Sequence, residues 1–280
     1  MASPEELTPS PKSALAHGSD VSSSSAASPG PRRPPINFTK PRAVLLAVQV
    51  PTDTVLDSEG PLLMAKIPNV WLRIQKMEFA TSCISADTFN RAADNIGRAA
   101  ATVLPHDEIT AVGLSCTSMS FTLGAERVAK QLRDACGSGV EVTDMALAQA
   151  AAVMALGATR LALVTPYIAE LAAANAAMLG DAGFTVVSHL TMGLTHDSMT
   201  DKVSSDTIRE WALSADCPEA EALIIGCSAM RACQPDFIDE LEAAIGKPVV
   251  TSTQAFLWRL LRVAGIEDRI SGYGALFAQH

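Results

Sequence analysis

The stretch Gly113-Leu114-Ser115-Cys116-Thr117-Ser118-Met119 has a counterpart later in the chain, Ile224-Ile225-Gly226-Cys227-Ser228-Ala229-Met230. Each copy reads as the end of an apolar strand followed by a cysteine, a hydroxyl residue, a small residue and a methionine. A repeated segment of this kind indicates two structural units of the same design.

A second pair of matching segments precedes each copy. The strands that would open the two halves end in Val50-Pro51-Thr52 and Val164-Thr165-Pro166. Cys116 lies 65 residues after the proline of the first segment, and Cys227 lies 61 residues after the proline of the second. This near-equal spacing predicts two lobes that face each other across a cleft.

Short β-branched runs alternate with Ala-rich stretches of helical length after residue 41, which is typical of parallel α/β sheets. The predicted strands are 43–50, 70–79, 109–114, 161–165, 184–189 and 222–226, and the predicted helices are 86–103, 124–136, 145–156, 168–182, 200–213, 235–245 and 253–264. The predicted class is α/β with two pseudo-symmetric lobes, each a short parallel sheet flanked by helices, and an active site between them. We expect the lobes at 41–140 and 141–250, with 251–280 packing back on the first.

The amino-acid composition predicts which partners, compartment and metal sites to expect. The formal net charge is -9 with no basic cluster, so neither nucleic acid nor an anionic membrane surface is an expected partner. Six cysteines without a paired framework predict a reducing, cytoplasmic setting with free thiols. Five scattered histidines indicate no metal site. Residues 1–40 are rich in Ser and Pro and predict a disordered tail.

The two cysteines are the candidate catalytic residues. In open α/β sheets, ligands bind beyond the carboxyl ends of the strands, where Cys116 and Cys227 are expected. We expect a helix after each cysteine to lower the pKa of its thiol. Backbone N–H groups at Thr117, Ser118, Ser228 and Ala229 are expected to bind a substrate carboxylate.

Two thiols that face one carbon allow two reactions without a cofactor. One thiolate can remove a proton from one face of the carbon while the other thiol returns a proton to the opposite face, which is racemisation. Alternatively, a thiolate can add to an electron-poor double bond, permit rotation and leave, which is cis-trans isomerisation. The competing interpretation is that both cysteines are small buried hydrophobic residues. The duplication favours a catalytic role.

Together with these segments, Val50-Pro51-Thr52-Asp53, Thr165-Pro166-Tyr167 and the stretch from Gly246 to Trp258 resemble the Asp/Glu racemase superfamily. The resemblance runs from about residue 42 to the end, and the nearest branch looks like maleate cis-trans isomerase and related ectoine-utilisation proteins. It implies a nucleophilic thiolate at Cys116, a proton-transferring thiol at Cys227 and a pocket lined by Tyr167. It also implies a small carboxylic-acid substrate and no cofactor. It is compatible with a homo-oligomer. Arylmalonate decarboxylases resemble a one-cysteine version with glycine in place of the first thiol.

Asp53 departs from the family pattern, because the branch carries an asparagine after the first strand. An ionised aspartate accepts hydrogen bonds only, so Asp53 predicts a substrate with an amino or other cationic group near its carboxylate. Two alternatives are that Asp53 is protonated in a desolvated pocket, or that it points away and pairs with a nearby Arg or Lys. His196-Asp197-Ser198 falls where the family has a substrate-binding loop.

Three functions follow from these residues. The first is cis-trans isomerisation of a small carboxylic acid, as in maleate isomerase. The second is racemisation of an amino acid or N-substituted amino acid, as in aspartate, glutamate or hydantoin racemases, within ectoine breakdown for example. The third is a non-catalytic carboxylate-binding homologue.

Overall fold

Two parallel four-stranded sheets form the framework of the protein in a computed structural model, which describes residues 35–280. The strands are β1 Ala43–Gln49, β2 Val70–Lys76, β3 Ala111–Ser115, β4 Glu141–Asp144, β5 Arg160–Tyr167, β6 Thr185–Leu194, β7 Ala222–Ile225 and β8 Val249–Thr251. The first sheet has the order β2-β1-β3-β4 and the second β6-β5-β7-β8. The second sheet therefore repeats the topology of the first, and the predicted fold class is confirmed.

Helices connect the parallel strands, as such crossovers require. They are α1 Val55–Met64, α2 Ala86–Ala92, α3 Asn95–Ala101, α4 Thr117–Leu123, α5 Ala125–Cys136, α6 Met145–Ala155, α7 Ala169–Asp181, α8 Asp197–Thr200, α9 Ser205–Ala215, α10 Phe237–Ile245, α11 Ser252–Val263 and α12 Gly274–Gln279. A single 3-10 turn covers His106–Glu108. No helix in the described range 35–280 has the length and apolar character needed to span a bilayer.

The central strands explain why the sequence shows continuous apolar runs. All residues of β1, β3 and β7 are buried, because helices cover both faces of each parallel sheet. The outer strands β2 and β6 are only partly buried. The apolar core therefore centres on the strands that lead to the two cysteine segments.

Capping residues set several helix starts. Ser85 and Thr251 form capping boxes at the starts of α2 and α11, and Asp144 caps α6 through a 2.9 Å hydrogen bond from the Leu147 amide. The Ser204 hydroxyl accepts a hydrogen bond from the Thr207 amide and begins α9. The helix predicted at 200–213 therefore begins later, at Ser205. The helix predicted at 86–103 is divided into α2 and α3.

The predicted lobe boundary at residue 140 is wrong by a few residues. The strand β4 pairs with β3 from Ala111↔Glu141 to Leu114↔Asp144, so the first sheet extends to Asp144. Both β4 and β8 are absent from the predicted strands, since they have only four and three residues. Three short helices, α1, α4 and α12, are also missing from the prediction.

The C-terminal segment packs against the first sheet through α11. A Cβ atom added to Gly113 of β3 would lie 2.6 Å from the Phe256 ring of α11. Glycine at this position thus permits the close approach of helix and strand. The predicted tail, residues 1–40, lies almost entirely outside the described residues.

Candidate active site

The two cysteines occupy equivalent positions at the ends of the central strands. Cys116 directly follows β3 and is the N-cap residue of α4, while Cys227 follows β7 with Gly226 between them. A side chain at Gly226 would meet Thr165 and Asn175 at 3.2 Å, so only a small residue fits before the thiol. Cys116 is 3% exposed and Cys227 is 5% exposed. Both thiols are enclosed by the protein.

Backbone amides favour each thiolate, but burial outweighs them. Burial, followed by the charge of Asp197, raises the pKa of Cys116 to about 12, against the lowering effect of the Met119 N–H. The same two causes raise the pKa of Cys227 well above its usual value, against the N–H of Ala229. The sequence-based expectation of lowered thiol pKa values is therefore wrong for this closed site. The expected helix after Cys227 is also absent, because a turn follows it and α10 begins only at Phe237.

Tyr167 lies against both thiols. It ends β5, its ring packs edge-on against Phe121 with centroids 6.0 Å apart, and it is fully buried. Burial, followed by the charges of Cys227 and Cys116, raises the pKa of its hydroxyl well above the usual value. Among residues 35–280 the hydroxyl has no partner at hydrogen-bonding geometry. It is therefore available to a group placed between the sulfurs.

Asp53 occupies the loop between β1 and α1 and is completely buried. Its Oδ1 accepts a 3.0 Å hydrogen bond from the Val55 amide, which fixes the turn into α1. Its Oδ2 has no hydrogen-bond partner in the described part of the chain. Burial raises its pKa, and the hydroxyl of Ser228 and the charge of Lys76 act in the opposite direction. One oxygen of Asp53 thus fixes the turn, and the carboxyl group also lies within the influence of the Ser228 and Gln49 side chains.

A second buried carboxyl group, Asp197, lies at the start of α8. Its Oδ2 accepts a 3.1 Å hydrogen bond from the Thr52 hydroxyl. Burial, followed by the charge of Asp53, raises its pKa to about 7. Asp197 affects the pKa of both thiols, so it belongs to the same constellation. The sequence pointed to its segment but did not single it out as a site residue.

The sequence profile of the arylmalonate decarboxylase family matches residues 51–277. This chain belongs to that family. Arylmalonate decarboxylase of Bordetella bronchiseptica is 30% identical over 172 residues, which are 59% of this chain and 70% of that protein. Maleate isomerase of Nocardia farcinica is 26% identical over 243 residues, 84% of this chain and 95% of that protein. The predicted resemblance to the superfamily with its maleate isomerase branch is confirmed.

A solved structure of a relative shows the same fold. It is the maleate cis-trans isomerase of Nocardia farcinica, a cysteine-to-serine mutant with a covalently bound succinylcysteine intermediate. The alignment covers 85% of this chain and 99% of that one, with a TM-score of 0.76 and 22% identity.

In this member of the arylmalonate decarboxylase family, the four residues predicted to bind a carboxylate contact different groups. The Thr117 hydroxyl donates to the Ser252 hydroxyl at 3.1 Å and so points into the protein. Ser118 lies 3.7 Å from the Cys116 sulfur through its hydroxyl. The Ser228 hydroxyl acts on Asp53, and the Ala229 amide acts on the Cys227 thiol. The predicted role of their backbone amides toward a substrate remains a prediction.

Ser252 links the two cysteine segments and was missed by the sequence analysis. Its hydroxyl accepts from Thr117 and, at 2.7 Å, from the Gln149 amide. It donates at 3.4 Å to the carbonyl of Ile225, two residues before Cys227. A single buried side chain therefore joins the start of α4 to the end of β7.

A backbone bridge joins the segment before α2 to the segment that contains Asp197. The Ile84 amide donates to the Thr195 carbonyl at 3.2 Å, and the Asp197 amide donates to the Ser82 carbonyl at 3.2 Å. Cys83 and His196 form the antiparallel bridge between them. Within residues 35–280, no group of three or more His, Cys, Asp or Glu side chains is placed to hold a metal ion.

Proposed function

We propose that this family member is a cofactor-independent isomerase that acts on a small carboxylic acid through Cys116 and Cys227. The observation that carries the proposal is the pair of thiols at equivalent strand ends, both against the Tyr167 hydroxyl. Cysteines with a purely structural role need not lie at equivalent strand ends. A reaction on two faces of one carbon, or at two ends of one bond, requires two reactive side chains. The first candidate reaction is cis-trans isomerisation.

In that reaction, Cys116 acts as the thiolate: its sulfur adds to one carbon of an electron-poor double bond, the π electrons move to the neighbouring carbon, and that carbon takes the proton of the Cys227 thiol. The new single bond then rotates. The Cys227 thiolate removes the proton again, the carbon–sulfur bond breaks, and both sulfurs return to their starting states. The reaction is redox-neutral, and the Met119 and Ala229 amides stabilise negative charge on the respective sulfurs.

Racemisation is the second candidate, and the buried acids Asp53 and Asp197 favour it. Carboxylates next to a binding site suit an amino group better than a second carboxylate. Here the Cys116 thiolate would remove the α-proton while the Cys227 thiol delivers a proton to the opposite face. The carbanion between the two steps is stabilised by the substrate carboxyl group.

Proton exchange in deuterium oxide distinguishes these reactions. The full chain would be incubated with maleate, and separately with single enantiomers of amino acids and their N-acyl derivatives, and followed by NMR. Conversion of maleate to fumarate identifies the cis-trans isomerase. Solvent deuterium at the α-carbon together with loss of optical activity identifies the racemase. Neither reaction with any of these substrates would contradict the proposed enzyme and favour a carboxylate-binding homologue.

Substitution of the thiols tests the proposed roles on whichever substrate reacts. We expect Cys116→Ala and Cys227→Ala each to lower kcat/KM by at least about a hundredfold while the melting temperature changes little. Cys217→Ala is the matched control, because Cys217 is a partly buried free thiol outside the site. Near-normal turnover in either site variant would rule out the two-thiol mechanism.

A further inference from the structure

The backbone holds the two thiols in place in different ways. The carbonyl of Cys116 accepts hydrogen bonds from the Ser120 amide at 3.0 Å and from the Ser120 hydroxyl at 2.7 Å, so the first turn of α4 fixes this residue. Cys227 instead begins an irregular segment, residues 227–234, which we call the Cys227 loop. Most of this loop is buried although it belongs to no helix or strand. Its backbone groups therefore need partners from other parts of the protein.

One of these partners is Glu59, a carboxylate of α1 that is 2% exposed. Its Oε2 accepts a hydrogen bond of 2.8 Å from the Cys233 amide, and its Oε1 accepts one of 3.3 Å from the Gln234 side chain. A carboxylate can be buried when its oxygens are bound in this way, and hydrogen bonds to a charged acceptor are stronger than neutral ones. Glu59 therefore fixes the far end of the Cys227 loop.

The other anchors of the Cys227 loop come from the half of the protein that contains the second sheet. They are the Ser205 hydroxyl on the Arg231 carbonyl at 3.1 Å, the Asp201 carbonyl on the Arg231 Nε at 2.8 Å, and the Thr253 hydroxyl on the Ser228 carbonyl at 3.3 Å. Glu59 differs from them because α1 connects β1 to β2 of the first sheet. Its contact with Cys233 spans 174 residues of sequence.

Glu59 also connects the Cys227 loop to the part of the site that contains Asp53. The hydrogen bond from the Val55 amide to Asp53 fixes the turn into α1, and Glu59 lies four residues after Val55 on the same helix. Four residues are about one helical turn. A single helix thus has the Asp53 turn at its start and the anchor of the Cys227 loop one turn further along.

Resting on the function proposed above, we propose that Glu59 is a positioning residue for Cys227. Its carboxylate holds the Cys227 loop against α1 and so keeps the Cys227 sulfur at the distance from Cys116 that a shared substrate requires. Glu59 acts through the Cys233 amide and does not touch the reacting atoms. A displacement of about 1 Å in a reacting group can lower a rate by about a hundredfold, so this anchor should affect kcat.

Alkylation of the thiols by iodoacetamide tests this role without requiring turnover. The full chain would be treated under native conditions, and mass spectrometry of its peptides would follow the modification of Cys116 and Cys227 over time. Glu59→Ala removes the acceptor of the Cys233 amide, so we expect Cys227 to react about tenfold faster or more, while Cys116 stays within about twofold of the wild-type rate. Glu59→Gln retains an oxygen that accepts from Cys233 and should keep the wild-type ratio of the two rates.

Glu242→Ala is the matched control for a general loss of stability. Glu242 also accepts hydrogen bonds from two backbone amides, those of Val249 and Ala275, both at 2.9 Å and both outside the Cys227 loop. This variant should lower the melting temperature and leave the ratio of the two alkylation rates unchanged. If Glu59→Ala does not fold, Glu59→Asp replaces it, because aspartate keeps the charge but is one methylene shorter. Equal acceleration at both thiols, no acceleration, or the same change in Glu242→Ala would overturn the proposal.

Turnover provides the second measurement on whichever substrate reacts. Glu59→Ala should lower kcat by about tenfold to a hundredfold, and Glu59→Gln should retain most of the wild-type kcat. An unchanged kcat in Glu59→Ala would also overturn the proposal. If Cys227 alkylation accelerates as expected but none of the acids reacts with the wild type, the proposed function fails while the anchoring of Cys227 by Glu59 stands. The two failures are therefore distinguishable.

Discussion

The variant Asp197→Asn should stabilise the protein, and the gain should depend on pH. Burial and Asp53 raise the pKa of Asp197 from 3.8 to about 7 in the folded protein. A carboxyl group of this kind contributes its full stability below the unfolded-state pKa, and that contribution is lost as pH rises through 7. The difference corresponds to about 4 kcal/mol of unfolding free energy. Asparagine has the same shape without the charge and avoids this loss.

Because the asparagine amide must also leave water, we expect a gain of about 2–4 kcal/mol at pH 8 and less than about 1 kcal/mol at pH 4. Urea unfolding followed by the fluorescence of the three tryptophans measures it at both pH values. The exposed Asp181→Asn should show no pH-dependent gain. A gain of equal size at both pH values, or destabilisation at pH 8, would refute the argument that an ionised acid is held in the site at a cost.

Three further outcomes are expected. Ser252→Ala leaves two buried donors without an acceptor, so it should lower the unfolding free energy by about 2–4 kcal/mol in a urea titration. As the control, Ser214→Ala at an exposed position should change the unfolding free energy by less than about 0.5 kcal/mol. Tyr167→Phe removes a hydroxyl with no hydrogen-bond partner in the described residues, so the melting temperature should be almost unchanged. Steady-state kinetics should show a kcat lower by about tenfold or more. An unaltered kcat would exclude a role of this hydroxyl at the sulfurs. A chain starting at Thr39 should have a melting temperature, measured by calorimetry, within a few degrees of that of the full chain, because the removed segment has few large apolar side chains. A larger decrease in melting temperature would contradict this prediction.

The internal repeat was the most informative feature of the sequence. Matching segments around Cys116 and Cys227 predict equivalent strand ends, and the two sheets have the same strand order. The prediction failed for β4 and β8, because strands of three or four residues contain too few apolar positions to show a pattern. It also failed for α4, which begins directly after Cys116, whereas the predicted helix in this region begins only at residue 124.

The site was predictable only where its residues lie in recognisable segments. The structure places Cys116, Cys227, Tyr167 and Asp53 near one another, and their roles toward a substrate stay predictions. Ser252 could not be found this way, because its contact with Thr117 spans 135 residues and depends on how the sheets meet. The thiol pKa values were predicted in the wrong direction, since a sequence motif shows the backbone amides but not the depth of burial.

Burial gives the two thiols chemical protection. Sulfur oxidation by peroxide requires an accessible thiolate, and here both sulfurs are protonated and enclosed. Any motion that brings a substrate to the buried sulfurs also exposes them to oxidants, so access for catalysis and susceptibility to oxidation are linked.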